Sequence, residues 1–175
     1  LAWAGLAVGT AALARRKRRL TLATHGAAYA IAAAVSAGLL SHAWETSFAS
    51  AAEAWELAGI PAVVVLAAMV ATAWLAAGAT PRARLPERFP QLLLLAALAC
   101  AAAGVLVGWL VPLLAGVPGA GASPGAVATI RTSVWVAGAL LLTWLGRREA
   151  WVEAGWLVYP ALAAIGLKIL LEDLP

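Results

Sequence analysis

Four charged side chains near the carboxyl end are the residues most able to do chemistry. Arg131 lies inside one long apolar stretch, Lys168 lies near the end of the next, and Glu172 and Asp173 follow it. Placing an ionisable group in apolar surroundings is energetically unfavourable, so each of these residues is a functional candidate until a simpler explanation is found. Together they form a candidate polar cluster that could pair internally or hold an anion.

Pairing is the simplest expectation for these charges. Lys168 and Glu172 are four residues apart and would share one face of a helix. Arg131 would reach Glu172 or Asp173 if the stretches that carry them are consecutive antiparallel helices. We therefore expect local pairing and snorkelling to the interface. A basic pocket for an anionic lipid or solute is the alternative that the sequence leaves open.

The remaining reactive side chains indicate no cofactor. A helix would separate His25 and His42 by about 25 Å, so they cannot be the two axial ligands of one haem. Cys100 is the only cysteine and lies in an apolar run, where it predicts a packing residue without a disulfide or metal cluster. We accordingly predict no catalytic, cofactor-binding or metal-binding residue.

Composition defines the surroundings of these residues. The chain is 64% hydrophobic and 11% charged, with a mean hydropathy of +0.92. Globular domains average roughly 45–50% apolar and about 25% charged residues, so a water-soluble domain of this size could not bury so much apolar surface. A bilayer supplies the missing solvent, because apolar helices satisfy their own backbone hydrogen bonds. The pI of about 10.0 is then no evidence for nucleic acid.

Six apolar runs are bounded by charge, proline or glycine, near 1–14, 20–41, 58–79, 91–115, 125–145 and 152–171. They predict an all-α, polytopic transmembrane helical bundle of about six membrane helices, forming one domain over residues 1–175. The first run reaches only about 21 Å, short of a hydrocarbon core of roughly 30 Å. Together with the opening Leu1, this leads us to expect a piece of a longer chain.

Basic residues alternate between the predicted loops. The first loop carries five consecutive cations: Arg15, Arg16, Lys17, Arg18 and Arg19. Ten of the twelve Lys and Arg residues lie in the first, third and fifth loops, and the second and fourth carry none. The positive-inside bias makes the five cations a topology anchor, with basic loops cytoplasmic and the carboxyl terminus of this chain outside. Contact of these cations with anionic lipids is compatible with that role.

The predicted location is the inner membrane of a bacterium. Alanine and arginine are abundant and only two lysines occur, a usage that favours a GC-rich bacterial source. The expected partners are the lipid bilayer, including anionic lipids, and other helices of the same parent chain or a second copy. Nucleic acid is not expected.

The second loop has a helical pattern of its own. Four apolar residues recur at i, i+4, i+7 and i+11 and would share one face: Trp44, Phe48, Ala51 and Trp55. They predict a short interfacial helix after the second span. Three glutamates lie largely off that face: Glu45, Glu53 and Glu56. An acidic lid or a divalent-cation site is the alternative interpretation of these carboxylates.

Small residues predict where helices pack closely. Gly5 and Gly9, and likewise Gly104 and Gly108, form small-xxx-small patterns that allow helices to approach one another in lipid. Trp135 lies near the middle of its predicted span, and we expect it to pack against neighbouring helices. Ligand stacking is the alternative role for this indole.

The carboxyl-terminal stretch carries a resemblance. Its motifs are IRT at 130–132, LGRR at 145–148, and LVYP at 157–160 with the following LKILLEDLP. They resemble the end region of large bacterial polytopic membrane proteins that have no assigned activity. The resemblance covers roughly a quarter of the chain. It implies a longer parent with helices on either side, and it transfers no functional residue.

Three functions remain after these observations. The first, which we favour, is a non-catalytic module that serves packing or assembly in a larger polytopic membrane protein. It predicts that ionisable groups face lipid or are paired locally. The second is part of a transporter or permease for a small or anionic solute, which requires a polar cavity. The third is an intramembrane enzyme acting on a lipid-linked substrate, for which no base and nucleophile pair is evident.

Overall fold

The computed structural model describes residues 1–48, 57–77, 85–117 and 121–170, with side chains in the third range from residue 87. Its helices in these ranges are α1 (Ala2–Lys17), α2 (Leu20–Ser36), α3 (Leu39–Phe48), α4 (Ile60–Ala77), α5 (Leu85–Leu114), α6 (Pro124–Gly146) and α7 (Val152–Lys168). A 3-10 turn, Glu149–Trp151, joins α6 to α7. The described part contains no strand, which confirms the predicted all-α class.

Several of these helices have the length and composition of membrane spans. In the described ranges, α4, α5, α6 and α7 with its preceding turn are long and apolar enough to cross a membrane. The bent pair α2 and α3 makes a fifth if it is counted as one span. At 16 residues, α1 is short, as its apolar run suggests. The helices are thus compatible with a transmembrane protein, and the number six stays a prediction.

The second predicted span is not one straight helix. α2 ends at Ser36, α3 begins at Leu39, and their axes differ by 61°. Gly38 lies at the break with φ of +69°, a left-handed conformation that residues with a Cβ rarely adopt. The amide of Gly38 donates to the carbonyl of Val35, which closes the last turn of α2. A continuous helix over 20–41 is therefore corrected to two helices joined by a glycine hinge.

The predicted interfacial helix corresponds in part to α3. Trp44 and Phe48 lie on its exposed face with ring centroids 4.6 Å apart. Thr46 and Ser47 face inward and are buried, so α3 is attached to the bundle along one side. The other residues of that prediction lie outside the described residues: Ala51, Glu53, Trp55 and Glu56.

The core is built largely from alanine. One face of α1 is a stripe of buried alanines at helical spacing: Ala4, Ala7, Ala11 and Ala14. A Cβ added to Gly26 of α2 would come within 3.2 Å of the carbonyl oxygen of Ala7, so these two helices pack backbone against backbone. Close contact between small residues is the expected way for helices to associate in lipid, where apolar contact alone gives no driving force.

Glycines also allow α3 to pack on α5. A Cβ on Gly104 would collide with the Cα of Ala43, and one on Gly108 would lie 3.0 Å from Nε2 of His42. The close approach predicted from this glycine pair is confirmed. A Cβ on Gly5 or Gly9 would meet no atom within 4 Å, so that pair faces open space in the described part of the structure.

Helix ends gather at two places. The starts of α2, α5 and α7 and the end of α4 surround a small cavity lined by Leu20, Ala77, Arg88 and Glu153; we call this the basic end. The contacts of α3 with α5 and α6, and of α7 with α6, lie in the second half of α5, the first half of α6 and the last turn of α7; we call this end, opposite to the basic end, the hinge end. Sequence positions next to the cation-rich loops thus come together at one end of the bundle.

Candidate functional site

Arg131 is buried at the hinge end between α6 and α3. It lies two turns into α6, whose first turn is capped by the hydroxyl of Ser123 accepting from the amide of Ala126. The side chain is 5% exposed, and its Nε donates to the carbonyl oxygen of Thr46 at 2.7 Å. Thr46 lies in the last described turn of α3. Arg131 thus holds the end of α3 against α6.

Lys168 makes a similar contact between α7 and α6. Its side chain is 7% exposed, and Nζ donates to the hydroxyl oxygen of Thr132 at 3.3 Å. Because Thr132 follows Arg131 directly, both cations are brought to the same turn of α6. We call Thr46, Arg131, Thr132 and Lys168 the hinge-end polar cluster.

Of the predicted cluster, the structure describes the two cations. The structure brings Arg131 and Lys168 to neighbouring positions, while Glu172 and Asp173 lie outside the described residues. Thr46 was missed because a backbone carbonyl acceptor leaves no mark in a sequence. Thr132 follows Arg131 in the IRT motif, and a hydroxyl next to a candidate cation was the signal in the sequence that could have indicated it.

A second charged contact at the basic end was not predicted. Arg88 of α5 donates from Nη1 to Oε1 of Glu153 of α7 at 3.1 Å, and these side chains are only 12% and 5% exposed. One turn further along α5, Nε2 of Gln91 donates to the carbonyl oxygen of Ala73 of α4 at 3.1 Å. We call Arg88, Gln91 and Glu153 the basic-end polar cluster, which joins α4, α5 and α7.

The sequence contained a signal for this pair. Glu153 lies within the run predicted to span the membrane over 152–171, so the rule applied to Arg131 and Lys168 also singles it out. The apolar run at 91–115 leaves Arg88 in the preceding loop, whereas α5 begins at Leu85. Helix α5 therefore includes the polar residues that precede its apolar stretch.

The five-residue basic cluster remains at the surface. Arg15, Arg16 and Lys17 form the last turn of α1, and Arg18 and Arg19 connect it to α2. All five side chains are exposed. Cations in a last helical turn complement the helix dipole, which favours ending α1 there.

A polar cavity of about 360 Å³ lies beside the glycine hinge. It is lined by the end of α2, the first turns of α3 and residues 57–59, and its polar side chains are Ser41, His42 and Glu45. Nε2 of His42 is buried and makes no hydrogen bond to the described residues. That nitrogen lies against Gly108 of α5, so the groups available to a small polar solute are the hydroxyl of Ser41 and the carboxylate of Glu45.

An apolar groove of about 220 Å³ lies between α5, α6 and α7. Six of its lining residues show its character: Ala96, Cys100, Trp135, Gly138, Pro160 and Ala164. Trp135 also packs beside the buried valines that join α5 to α6, so its expected packing role is confirmed. The groove can take an apolar chain and offers little hydrogen bonding.

The described ranges contain no evident metal-binding site. No group of three or more His, Cys, Asp or Glu side chains there could hold a metal ion. The chemistry available to these sites is ion pairing, hydrogen bonding and apolar contact.

Comparisons with known proteins add no relative. No protein-family model, curated protein or solved structure matches the chain. Function must therefore be argued from the arrangement of these side chains.

Proposed function

We propose that this chain is a non-catalytic helical module of a larger multi-pass protein of the bacterial inner membrane. In this role it packs against other helices of its parent chain or against a second copy. The resemblance of its carboxyl-terminal motifs to the end regions of large polytopic proteins is in keeping with the proposal.

One observation carries the proposal: buried cations are used to join helices. Arg131 connects α6 to α3, Lys168 connects α7 to α6, and Arg88 connects α5 to α7. A transport or catalytic centre instead gathers polar groups around a space where a substrate can lie. Contacts of this kind favour a structural role for the charges.

The proposed orientation places the basic end in the cytoplasm and the hinge end outside. The convergence of α2, α4, α5 and α7 at the basic end supports it, because the cation-rich loops then share one face of the membrane. In this orientation Arg15 to Arg19 anchor the topology and contact anionic head groups.

Thermal unfolding in detergent tests the structural role. We expect R88Q, R131Q and K168Q each to lower the unfolding midpoint, because each removes a charge from an interhelical contact. R147Q is the matched control, since Arg147 is an exposed cation at the end of α6. If all three variants were as stable as the control, this result would contradict the proposal. It would indicate that the charges serve to bind a ligand.

The hinge cavity favours a second candidate, part of a transporter for a small solute. Broken helices with polar groups at the break are a recurring way to build a binding site in transporters. Here the break at Gly38 borders the cavity that contains His42 and Glu45. Stabilisation of the wild-type chain by an inorganic anion or a small amine, absent in H42A, would favour this candidate over the first.

A further inference from the structure

His42 lies on α3 between a close helix contact and a polar cavity. A Cβ on Gly108 would lie 3.0 Å from its Nε2, so this edge of the ring faces the backbone of α5. The nitrogen is buried and makes no hydrogen bond to the described residues. The same residue lines the cavity of about 360 Å³ beside the glycine hinge. The imidazole therefore borders two surroundings of different polarity.

The facing part of α5 offers no charged partner to this nitrogen. Residues 101–114 consist of Ala, Gly, Val, Leu, Trp and Pro, none of which has a side-chain acceptor. Pro112 has no amide hydrogen, so the carbonyl of Gly108 lacks its usual donor four residues on, yet Nε2 of His42 does not bond to it. A neutral carbonyl would in any case compensate a charge less well than a carboxylate does.

Protonation changes what the ring requires. Neutral imidazole carries a hydrogen on only one of its nitrogens, whereas the protonated form carries one on each and donates from both. Burying that charge without a partner is unfavourable. Glu45 lies three residues further along α3 and lines the cavity together with Ser41. The cavity volume exceeds that of several water molecules, each about 30 Å³ in the liquid, so the ring can enter it.

Other charges near the ring do not favour its protonation at Gly108. The described segments that border it on α2, α4 and α5, at 35–37, 57–62 and 101–114, contain no titratable side chain. From α6, Arg131 reaches α3 at the carbonyl oxygen of Thr46, four residues beyond His42. Its positive charge disfavours a second cation on that side of α3.

We propose that His42 makes the packing of α3 on α5 sensitive to pH. The neutral ring lies against Gly108 and keeps α3 in place. When the ring takes a proton from solvent, it leaves Gly108 and pairs with Glu45 in the cavity, and α3 turns away from α5 about Gly38. The contact of Arg131 with α3 is then lost, which opens the hinge-end polar cluster. Only the side of the membrane on which the pH is sensed, the outside, rests on the proposed function.

A distance measurement between two spin labels tests the proposal. The labels are attached to F48C of α3 and L113C of α5, both at exposed positions, in the detergent-solubilised chain carrying C100A. Spectra are recorded at about pH 8 and about pH 5, on either side of the value at which free histidine titrates, about 6.5, and above that of free glutamate, about 4.3. Phe48 is ten residues from Gly38, about 15 Å along a helix, so a turn of about 20° would lengthen the distance by about 5 Å at the lower pH.

Three variants separate His42 from other titrating groups. H42Q has a polar side chain that does not titrate, so its distance should be the same at both pH values. H25Q is the matched control, because His25 is the other histidine and is exposed on α2, where its Nδ1 donates to the carbonyl oxygen of Thr21. It should respond as the wild type does. E45Q removes the carboxylate that stabilises the protonated ring, so its distance should lengthen less.

Three results would overturn the proposal. They are an unchanged or shorter distance in the wild type at about pH 5, a response in H42Q equal to that of the wild type, and loss of the response in H25Q. If H42Q does not fold, E45Q decides, since a full response there would show that the carboxylate is not the partner. Failure of the proposed function is a separate result, in which R88Q, R131Q and K168Q are as stable as R147Q.

Discussion

Individual charged residues illustrate how a helical protein accommodates ions in apolar surroundings. Arg131 donates to a backbone carbonyl, Lys168 to a hydroxyl, and Arg88 to a carboxylate. Removing one partner from a buried charged contact leaves the other uncompensated, which costs more than replacing both. These contacts join α6 to α3, α7 to α6 and α5 to α7.

The Arg88–Glu153 pair allows a quantitative test of that asymmetry. We expect R88Q alone to destabilise the chain by about 3–5 kcal/mol, the range for breaking a buried ion pair. The double variant R88Q/E153Q should cost less than R88Q alone, because two amides can hydrogen-bond without leaving an unpaired charge. Unfolding in detergent, compared across the two single variants and the double variant, measures the coupling.

Additive effects of the two substitutions would contradict a direct pairing. Q91L is a useful comparison, because it removes the neighbouring contact to Ala73 and leaves both charges in place. We expect Q91L to destabilise by only about 0.5–1.5 kcal/mol, the net contribution of an ordinary hydrogen bond.

For individual residues, the sequence identifies hydrogen-bond donors more readily than their acceptors. Arg131 and Lys168 could be selected because each is a charge in an apolar run, and both are buried in interhelical contacts. The acceptor on Thr46 could not be selected, since it is a backbone carbonyl, and the hydroxyl of Thr132 next to Arg131 was only a weak signal. Which helices are neighbours depends on tertiary packing that no local pattern encodes.

Two glycines determine the direction and the packing of α3. Gly38 breaks the second span into α2 and α3, and Gly104 lets α3 lie directly on α5. Together they direct α3 to the hinge end and position Thr46 to meet Arg131. The hinge-end polar cluster therefore depends on backbone geometry some distance from its side chains.

The left-handed conformation of Gly38 predicts that a residue with a Cβ at this position lowers the stability of the chain. G38A should destabilise the chain by about 1–2 kcal/mol, the cost of a left-handed conformation for a residue with a Cβ. G125A is the matched control, because Gly125 lies in the first turn of α6 and a Cβ there meets no atom within 4 Å. Thermal unfolding of the two variants checks this, and a G38A chain as stable as G125A would contradict the hinge.

The close contact between α3 and α5 predicts that a larger residue at Gly104 destabilises the chain. G104A should destabilise by about 1–3 kcal/mol, as overpacking does, because its Cβ would collide with Ala43. G9A should be close to neutral, since the same addition on α1 meets no atom within 4 Å. Equal unfolding midpoints for the two variants would show that α3 does not pack on α5 as described.

The apolar runs predicted the helices well and their ends less well. Hydropathy detects the residues that need an apolar solvent, so the runs at 58–79 and 125–145 correspond closely to α4 and α6. It does not detect polar first turns, which is why the start of α5 was placed after Arg88. Nor does it detect a left-handed glycine, since Gly38 lies in a run that is apolar on both sides.

For the molecule as a whole, the main feature is an exterior that suits lipid. Large apolar side chains are exposed on every membrane-length helix, including Val64, Leu106, Leu140 and Leu162. At the basic end, the guanidinium of Arg148 lies 4.4 Å from the ring centroid of Trp144. Aromatic and cationic side chains together are typical of the membrane interface.

Cysteine labelling in intact bacterial cells tests the membrane orientation most directly. Each variant carries C100A and one new cysteine at an exposed position: K17C or R147C at the basic end, E45C or S123C at the hinge end. A membrane-impermeant maleimide should label positions 45 and 123 from outside and should reach 17 and 147 only after permeabilisation. Labelling of 17 and 147 with protection of 45 and 123 would contradict the orientation, and equal labelling of all four in intact cells would contradict the membrane-spanning arrangement itself.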